Sequence, residues 1–199
     1  MSTIEVSNSP SSTISSNYQS PKAINSIKNK INIVNNHPEL IFAKILLHIL
    51  SENKKSKDYF KKINSNQDGH FTFKMKPGIS LLDYLRRILK YLKIEYSTLI
   101  IAMIYIDRIC KEKVFLNEYN IHRIMLISIY MAYTYNEDYI YDNKYLALVS
   151  GLNRNEMVLL EEDFLDLIEF KLFVSDEIFE QYKKYFFRDF LDKNKNDKN

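Results

Sequence analysis

The sequence predicts an all-α fold, on three observations. From residue 79 to residue 199 there is no proline and one glycine, Gly151, whereas a β-rich chain needs turn residues at short intervals. Helix-capping residues recur at spacings that suit helices joined by short loops. The run Leu99 to Ile106, and the set Ile124, Met125, Leu126, Ile127, Ile129, Met131 and Ala132, leave no polar face. A helix that is apolar all round must be enclosed by other helices, so one or two central helices are expected inside a shell of amphipathic ones. A regular four-helix bundle would show four similar stripes, and this chain does not.

Taken in order, residues 1–36 are rich in Ser and Asn with one aromatic, Tyr18. Such a segment buries too little surface to offset its ordering entropy, and a disordered tail is expected. His37-Pro38-Glu39 opens a helix, because proline suits the first helical position, and Leu40, Ile41, Ile45, Leu46, Ile49 and Leu50 follow on a helical period. Ser51 to Lys76, rich in lysine and interrupted by Asn-Gln-Asp-Gly, reads as a solvated helix end and a loop. Ser80 with Asp83 caps the next helix, striped by Leu81, Leu85, Ile88, Leu89 and Leu92. Ser97 is expected to open a helix to about Cys110, and Asn117 another to about Tyr135. A short helix covers Asn143 to Ser150 and stops at Gly151. Asn153 with Glu156 forms a capping box for a helix striped by Met157, Leu160, Phe164, Leu167 and Ile168. Ser175 opens the last, with Ile178, Phe179, Tyr182, Tyr185 and Phe186 on one face.

Composition narrows the function classes. A net charge of +3, with lysines interleaved with acids over most of the chain, gives no general nucleic-acid footprint, and no nucleic-acid partner is expected. The longest apolar run falls far short of the roughly 20 residues of a membrane span, and no membrane association is expected. One cysteine, Cys110, excludes an internal disulfide framework and a cysteine-based zinc site. With no signal-peptide pattern at the N-terminus, a reducing, intracellular setting, cytoplasmic or nuclear, is expected.

No catalytic constellation emerges. No pair among His37, His48, His70 and His122 has the i, i+4 spacing of a helical metal site, and three glycines cannot build a phosphate loop. Neither a metal nor a cofactor is expected. His122 reads as a capping or packing histidine, and Cys110, at a helix end, as a buried structural thiol. Glu161, Glu162 and Asp163 point in different directions on a helix and make no acid/base pair. Asp107 and Arg108 follow an apolar helix, while Arg86 and Arg87 interrupt an apolar stripe. Either an Asp of one helix faces an Arg of its neighbour in a bidentate contact, or both arginines extend to solvent.

Those residues also carry a resemblance. Asp83-Tyr84-Leu85-Arg86-Arg87-Ile88, then Tyr105-Ile106-Asp107-Arg108-Ile109, then Asn120-Ile121-His122-Arg123, resemble the cyclin box, more narrowly that of Pho80-like cyclins, which include the plant P/U-type. The match continues through Tyr141-Asp142-Asn143-Lys144-Tyr145-Leu146-Ala147, Gly151-Leu152, Glu156, Leu160-Glu161 and Phe164-Leu165. It covers about residues 79–174, after a 37–78 helix-and-loop segment and before a C-terminal helix and charged tail at 175–199. The resemblance implies a five-helix box with its third helix at the centre, Ala132 where helices approach closely, and a structural ion pair between Arg86 and Asp107. It implies a non-catalytic subunit that binds a cyclin-dependent kinase and positions the kinase's C-helix. The family's central polar contacts come from a Lys near the end of the third box helix and a Glu of the fifth. Glu161 matches the Glu, and Thr134 stands where the Lys is usual, which removes a cation and three donors. That departure favours a second reading, an adaptor that binds a protein without activating a kinase. A transcription-factor-like helical module is a third, which the missing basic face opposes. An enzyme is not expected.

Overall fold

The structure, a computed structural model, describes residues 37–65, 69–138 and 140–196; the tail expected at 1–36 lies outside the described residues. The described residues are helical, without strands: α1 (Pro38–Lys54), α2 (Tyr59–Ser65), a 3₁₀ turn (Gly69–Phe71), α3 (Leu81–Leu92), α4 (Tyr96–Glu112), α5 (Ile121–Asn136), α6 (Asn143–Ser150), α7 (Arg154–Leu167) and α8 (Asp176–Asn196).

The central helix is α5. From Ile121 to Tyr133 every residue except Arg123 is buried, as its missing polar face demands. Its main neighbour is α4, buried continuously from Thr98 to Ile106. Around this pair, α3 and α7 pack on α5, α6 bridges α3 and α7, and α1 and α8 cover α4. A hydroxyl-to-carboxylate bond of 2.7 Å, donated by Thr98 to Glu137, ties the start of α4 to the end of α5.

The caps explain where most helices start. Ser80 Oγ accepts the Asp83 N–H at 3.1 Å, Asp142 Oδ1 accepts the Tyr145 N–H at 2.7 Å, and the Asn153/Glu156 box is complete in both directions. Gly151 closes α6 at φ 76°, where its missing Cβ removes the steric penalty. Two starts differ from expectation. Glu95, not Ser97, precedes α4, and the Ser97 hydroxyl donates back to Glu95. Asn117 lies in a turn before α5, its Oδ1 accepting the Tyr119 N–H at 2.8 Å. That turn occupies its side chain, so the helix begins four residues later, at Ile121.

The lysine-rich segment is less solvated than its composition suggests. Tyr59 and Phe71 are both buried, and the Tyr59 hydroxyl donates to Glu118 at 2.9 Å, so α2 is anchored by one aromatic ring. Cys110 is half-buried rather than enclosed, on the wall of a cleft of about 760 Å³ between α1, α4 and α8.

Two predictions follow from this packing. Ala132, fully buried on α5, leaves no room for a larger side chain; Ala132→Leu should destabilise the domain by about 1–3 kcal/mol in urea unfolding, with the helical spectrum retained. His122 is buried against the Tyr84 ring, with Nε2 3.1 Å from the Ile79 carbonyl and Nδ1 without a partner. Burial holds its pKa below the usual 6.5. A protonated ring would carry a second buried N–H with nothing to accept it, so the folded state takes up the proton less readily than the unfolded chain. Stability should therefore fall as pH drops below about 6.5. His122→Gln should flatten that part of the curve, measured by urea unfolding between pH 7 and pH 5.

Candidate partner-binding site

Helices α5 and α7 lie side by side and hold the two residues expected to meet a partner. Glu161 is on α7, and helical spacing puts it in line with Val158 and Leu165, all three half-buried. Its carboxyl is held above the usual range, first by burial and then by the neighbouring charge of Glu162. Across the helix pair is Tyr130, whose phenol is pushed up to about 12 by burial, with the charge of Glu161 adding to the shift. Thr134 follows Tyr130 by one turn of α5, so it shares the side of α5 that faces α7. Its hydroxyl donates to the Met131 carbonyl at 3.3 Å, a bond within its own helix. Glu161 has no hydrogen-bonding partner among the described residues, so the helix pair carries a half-desolvated carboxylate flanked by apolar side chains.

The structure does not bring Arg86 to Asp107. Arg86 is exposed on α3. The Asp107 carboxylate accepts the Tyr182 hydroxyl of α8 and pairs with Lys111 one turn along α4 at 3.1 Å. The aliphatic stem of an arginine lets its head reach water, and here it does. Arg87 turns instead toward α6, 3.4 Å from the Leu148 carbonyl.

The polar ties that do cross between elements start from other cations. Arg123, 13% exposed at the start of α5, pairs with Glu156 of α7 at 2.9 Å, donates to the His70 carbonyl and stacks over the Phe73 ring at 4.1 Å. Glu156 gives its other oxygen to the capping box at 3.1 Å, so one carboxylate caps α7 and ties it to α5. His70 completes the joint, with its backbone N–H and Nδ1 both near Asp163 Oδ2, at 2.9 and 2.8 Å. A Cβ at Gly69 would sit 2.5 Å from that same oxygen.

A second joint fixes the exit of α7. Glu169 and Phe170 both take left-handed backbone, at φ 54° and 55°, a costly conformation for such residues. Lys113 donates to the Leu167 carbonyl at 2.8 Å and pairs with Glu169 at 2.7 Å. With Lys171 it draws the Glu169 carboxyl down to about 2. Arg108 donates to the Lys171 and Phe173 carbonyls, and Tyr105 to that of Leu172. The knuckle so formed presents Phe170 and Phe173 to solvent. Sequence reasoning did not single out these two rings; the signal available was a pair of phenylalanines three apart after the apolar stripe of α7 and before that of α8, with no helical face to join.

The Arg123 joint yields a test. Arg123→Ala should cost about 2 kcal/mol in urea unfolding, because it removes charged hydrogen bonds from a nearly buried site. Arg86→Ala should stay within about 0.5 kcal/mol. Equal effects would contradict the assignment.

Comparison with known proteins agrees with this architecture. The cyclin family profile matches residues 4–172. The chain is similar to Cyclin-U4-3 of Arabidopsis thaliana, 42% identical over 114 residues, covering 56% of this chain and 52% of that protein. It is similar to Cyclin-P4-1 of Oryza sativa subsp. japonica, 37% identical over 109 residues, covering 54% and 51%. It is also similar to the PHO85 cyclin-like protein psl1 of Schizosaccharomyces pombe, 36% identical over 115 residues, covering 56% and 47%. The chain spans about half the length of the curated relatives it matches. With an apolar central helix enclosed as the cyclin box requires, and with relatives of the U, P and PHO85 cyclin-like kinds, the chain belongs to the cyclin family, as a Pho80-like cyclin of the P/U type.

Proposed function

We propose that this cyclin is a non-catalytic regulatory subunit that binds a cyclin-dependent kinase and positions the kinase's C-helix, with Glu161 as the central polar anchor. The observation that carries the reading is the half-desolvated Glu161 carboxylate. A charge drawn out of water is costly when unpaired, and this half-buried one sits between Val158 and Leu165 on one of the two helices that the cyclin resemblance assigns to the partner. The N–H groups of a docked helix would complete it. A second reading, an adaptor that binds a protein without activating a kinase, is favoured by Thr134, which stands where the family usually has a lysine and whose hydroxyl already bonds within its own helix.

Co-purification with the kinase followed by a kinase assay separates the two readings. Glu161→Ala should weaken kinase binding by about 2 kcal/mol, roughly thirtyfold. Thr134→Lys should strengthen binding by restoring a cation. The free domain should respond in the opposite sense. Because the folded state raises the Glu161 pKa, ionised Glu161 lowers stability at pH values where the unfolded chain is fully ionised. Glu161→Gln should therefore match or exceed the wild-type melting temperature at pH 7 while binding the kinase less well. If neither Glu161 nor Thr134 affects a titration with the kinase, the site is not used in this way.

A further inference from the structure

The stretch 51–76 is a basic part of this chain. Residues 51–76 hold seven lysines against Glu52, Asp58 and Asp68, a net of +4, while the whole chain carries +3, which leaves −1 for the remainder. All seven lysines are exposed. Two of them, Lys54 and Lys76, converge on Glu118. Glu118 accepts the Tyr59 hydroxyl at 2.9 Å, pairs with Lys54 at 2.7 Å and feels the charge of Lys76. The Phe73 N–H donates to the Tyr119 carbonyl at 2.9 Å. The α1–α2 corner and the 73–76 segment are thus both fastened to residues 115–119.

Two large apolar side chains of these segments stand mostly in water, although the Phe60 ring meets that of Tyr59 edge-on at 5.5 Å. Phe60 is 78% exposed and Met75 81%, the two most exposed large apolar residues among those described. The core anchors of the same segments are their neighbours Tyr59 and Phe71, both buried. Phe60 is followed by Lys61 and Lys62, and Met75 is bracketed by Lys74 and Lys76.

We propose that this face, with Lys57, Lys61, Lys74 and Lys76 around Phe60 and Met75, docks peripherally on an anionic lipid surface. Lysine ammoniums are compact point charges that respond to the diffuse negative potential of such a surface. The segment has no arginine, so it lacks the planar fork that clamps an individual phosphate or carboxylate. Phe60 and Met75 project outward, which suits insertion at a membrane interface, whereas a peptide partner is normally received in a groove. Basic attraction plus shallow apolar insertion are the two signals that together give stable peripheral binding. The expectation of no membrane association rests on the short apolar run and so bears on spanning alone; peripheral docking needs no spanning helix, and no helix among the described residues is long and apolar enough to cross a membrane. The proposal goes beyond kinase binding and does not depend on it.

Co-sedimentation of the full chain with phosphatidylcholine vesicles, with and without about one-third phosphatidylserine, tests this directly at low salt and at about 0.15 M salt. Binding is expected only to the anionic vesicles and should weaken with salt. Lys61→Glu with Lys74→Glu should lower the partition coefficient at least about twentyfold. Phe60→Ser with Met75→Ser should lower it about tenfold at the higher salt. All four positions are exposed, and far-UV circular dichroism checks that the variants fold. Absence of binding, equal binding to neutral vesicles, or indifference to both double substitutions would overturn the proposal. Binding to a polyglutamate peptide with none to vesicles would also overturn it and assign the face to an acidic protein partner.

Discussion

The enclosure of α5 is the constraint on which the rest of this fold depends. Its apolar residues cannot be divided into a wet side and a dry side, so hydrophobic burial is satisfied only when neighbours close on it from several directions. Helices α3, α4 and α7 do so. The positions of Thr134 and Glu161 follow from this. Thr134 reaches the surface because α5 begins to emerge there, and Glu161 is half-buried because α7 must lie against α5 to cover it.

Apolar packing alone leaves the ends of these helices under-determined, since it is not directional. The directional terms are the cations at the helix boundaries. Arg123 joins the start of α5 to the start of α7 and to the 3₁₀ turn. Arg108, Lys113 and Tyr105 hold the carbonyls at the exit of α7. These contacts place the charged groups where the backbone has unsatisfied acceptors. The strained backbone of Glu169 and Phe170 is over-determined by the same groups, which is how such a conformation persists.

Two surfaces depart from what stability alone would select. On the α5–α7 side a carboxylate is held partly out of water, and that burial, with the neighbouring Glu162 charge, raises its pKa. On the α1–α2 side two large apolar residues stand in water among lysines. The first suits a partner that brings hydrogen-bond donors, and the second a partner that brings negative charge and an apolar layer. They draw on different physical interactions, so one can be altered without the other.

Much of this was legible in the sequence. The apolar run to Ile106, the Ser80, Asn153 and Pro38 start signals and the Gly151 stop each act within a few residues of backbone, so the helical class and most boundaries could be read locally. The positions of Glu161 and Thr134 along the chain came from the cyclin resemblance. What only the tertiary structure decided was which charges meet. Arg86, Arg87, Arg108 and Arg123 all sit beside apolar stripes, and local sequence does not distinguish them. The Arg86–Asp107 pairing drawn from the resemblance is not the one formed. Arg123 meets Glu156, and Asp107 turns to Tyr182 and Lys111, because an ion pair depends on the separation of two side chains set by the packing of whole helices. The anchoring of Tyr59 and the exposure of Phe60 beside it were likewise beyond local reading, since a helix of seven residues is too short for periodicity to tell which ring faces inward.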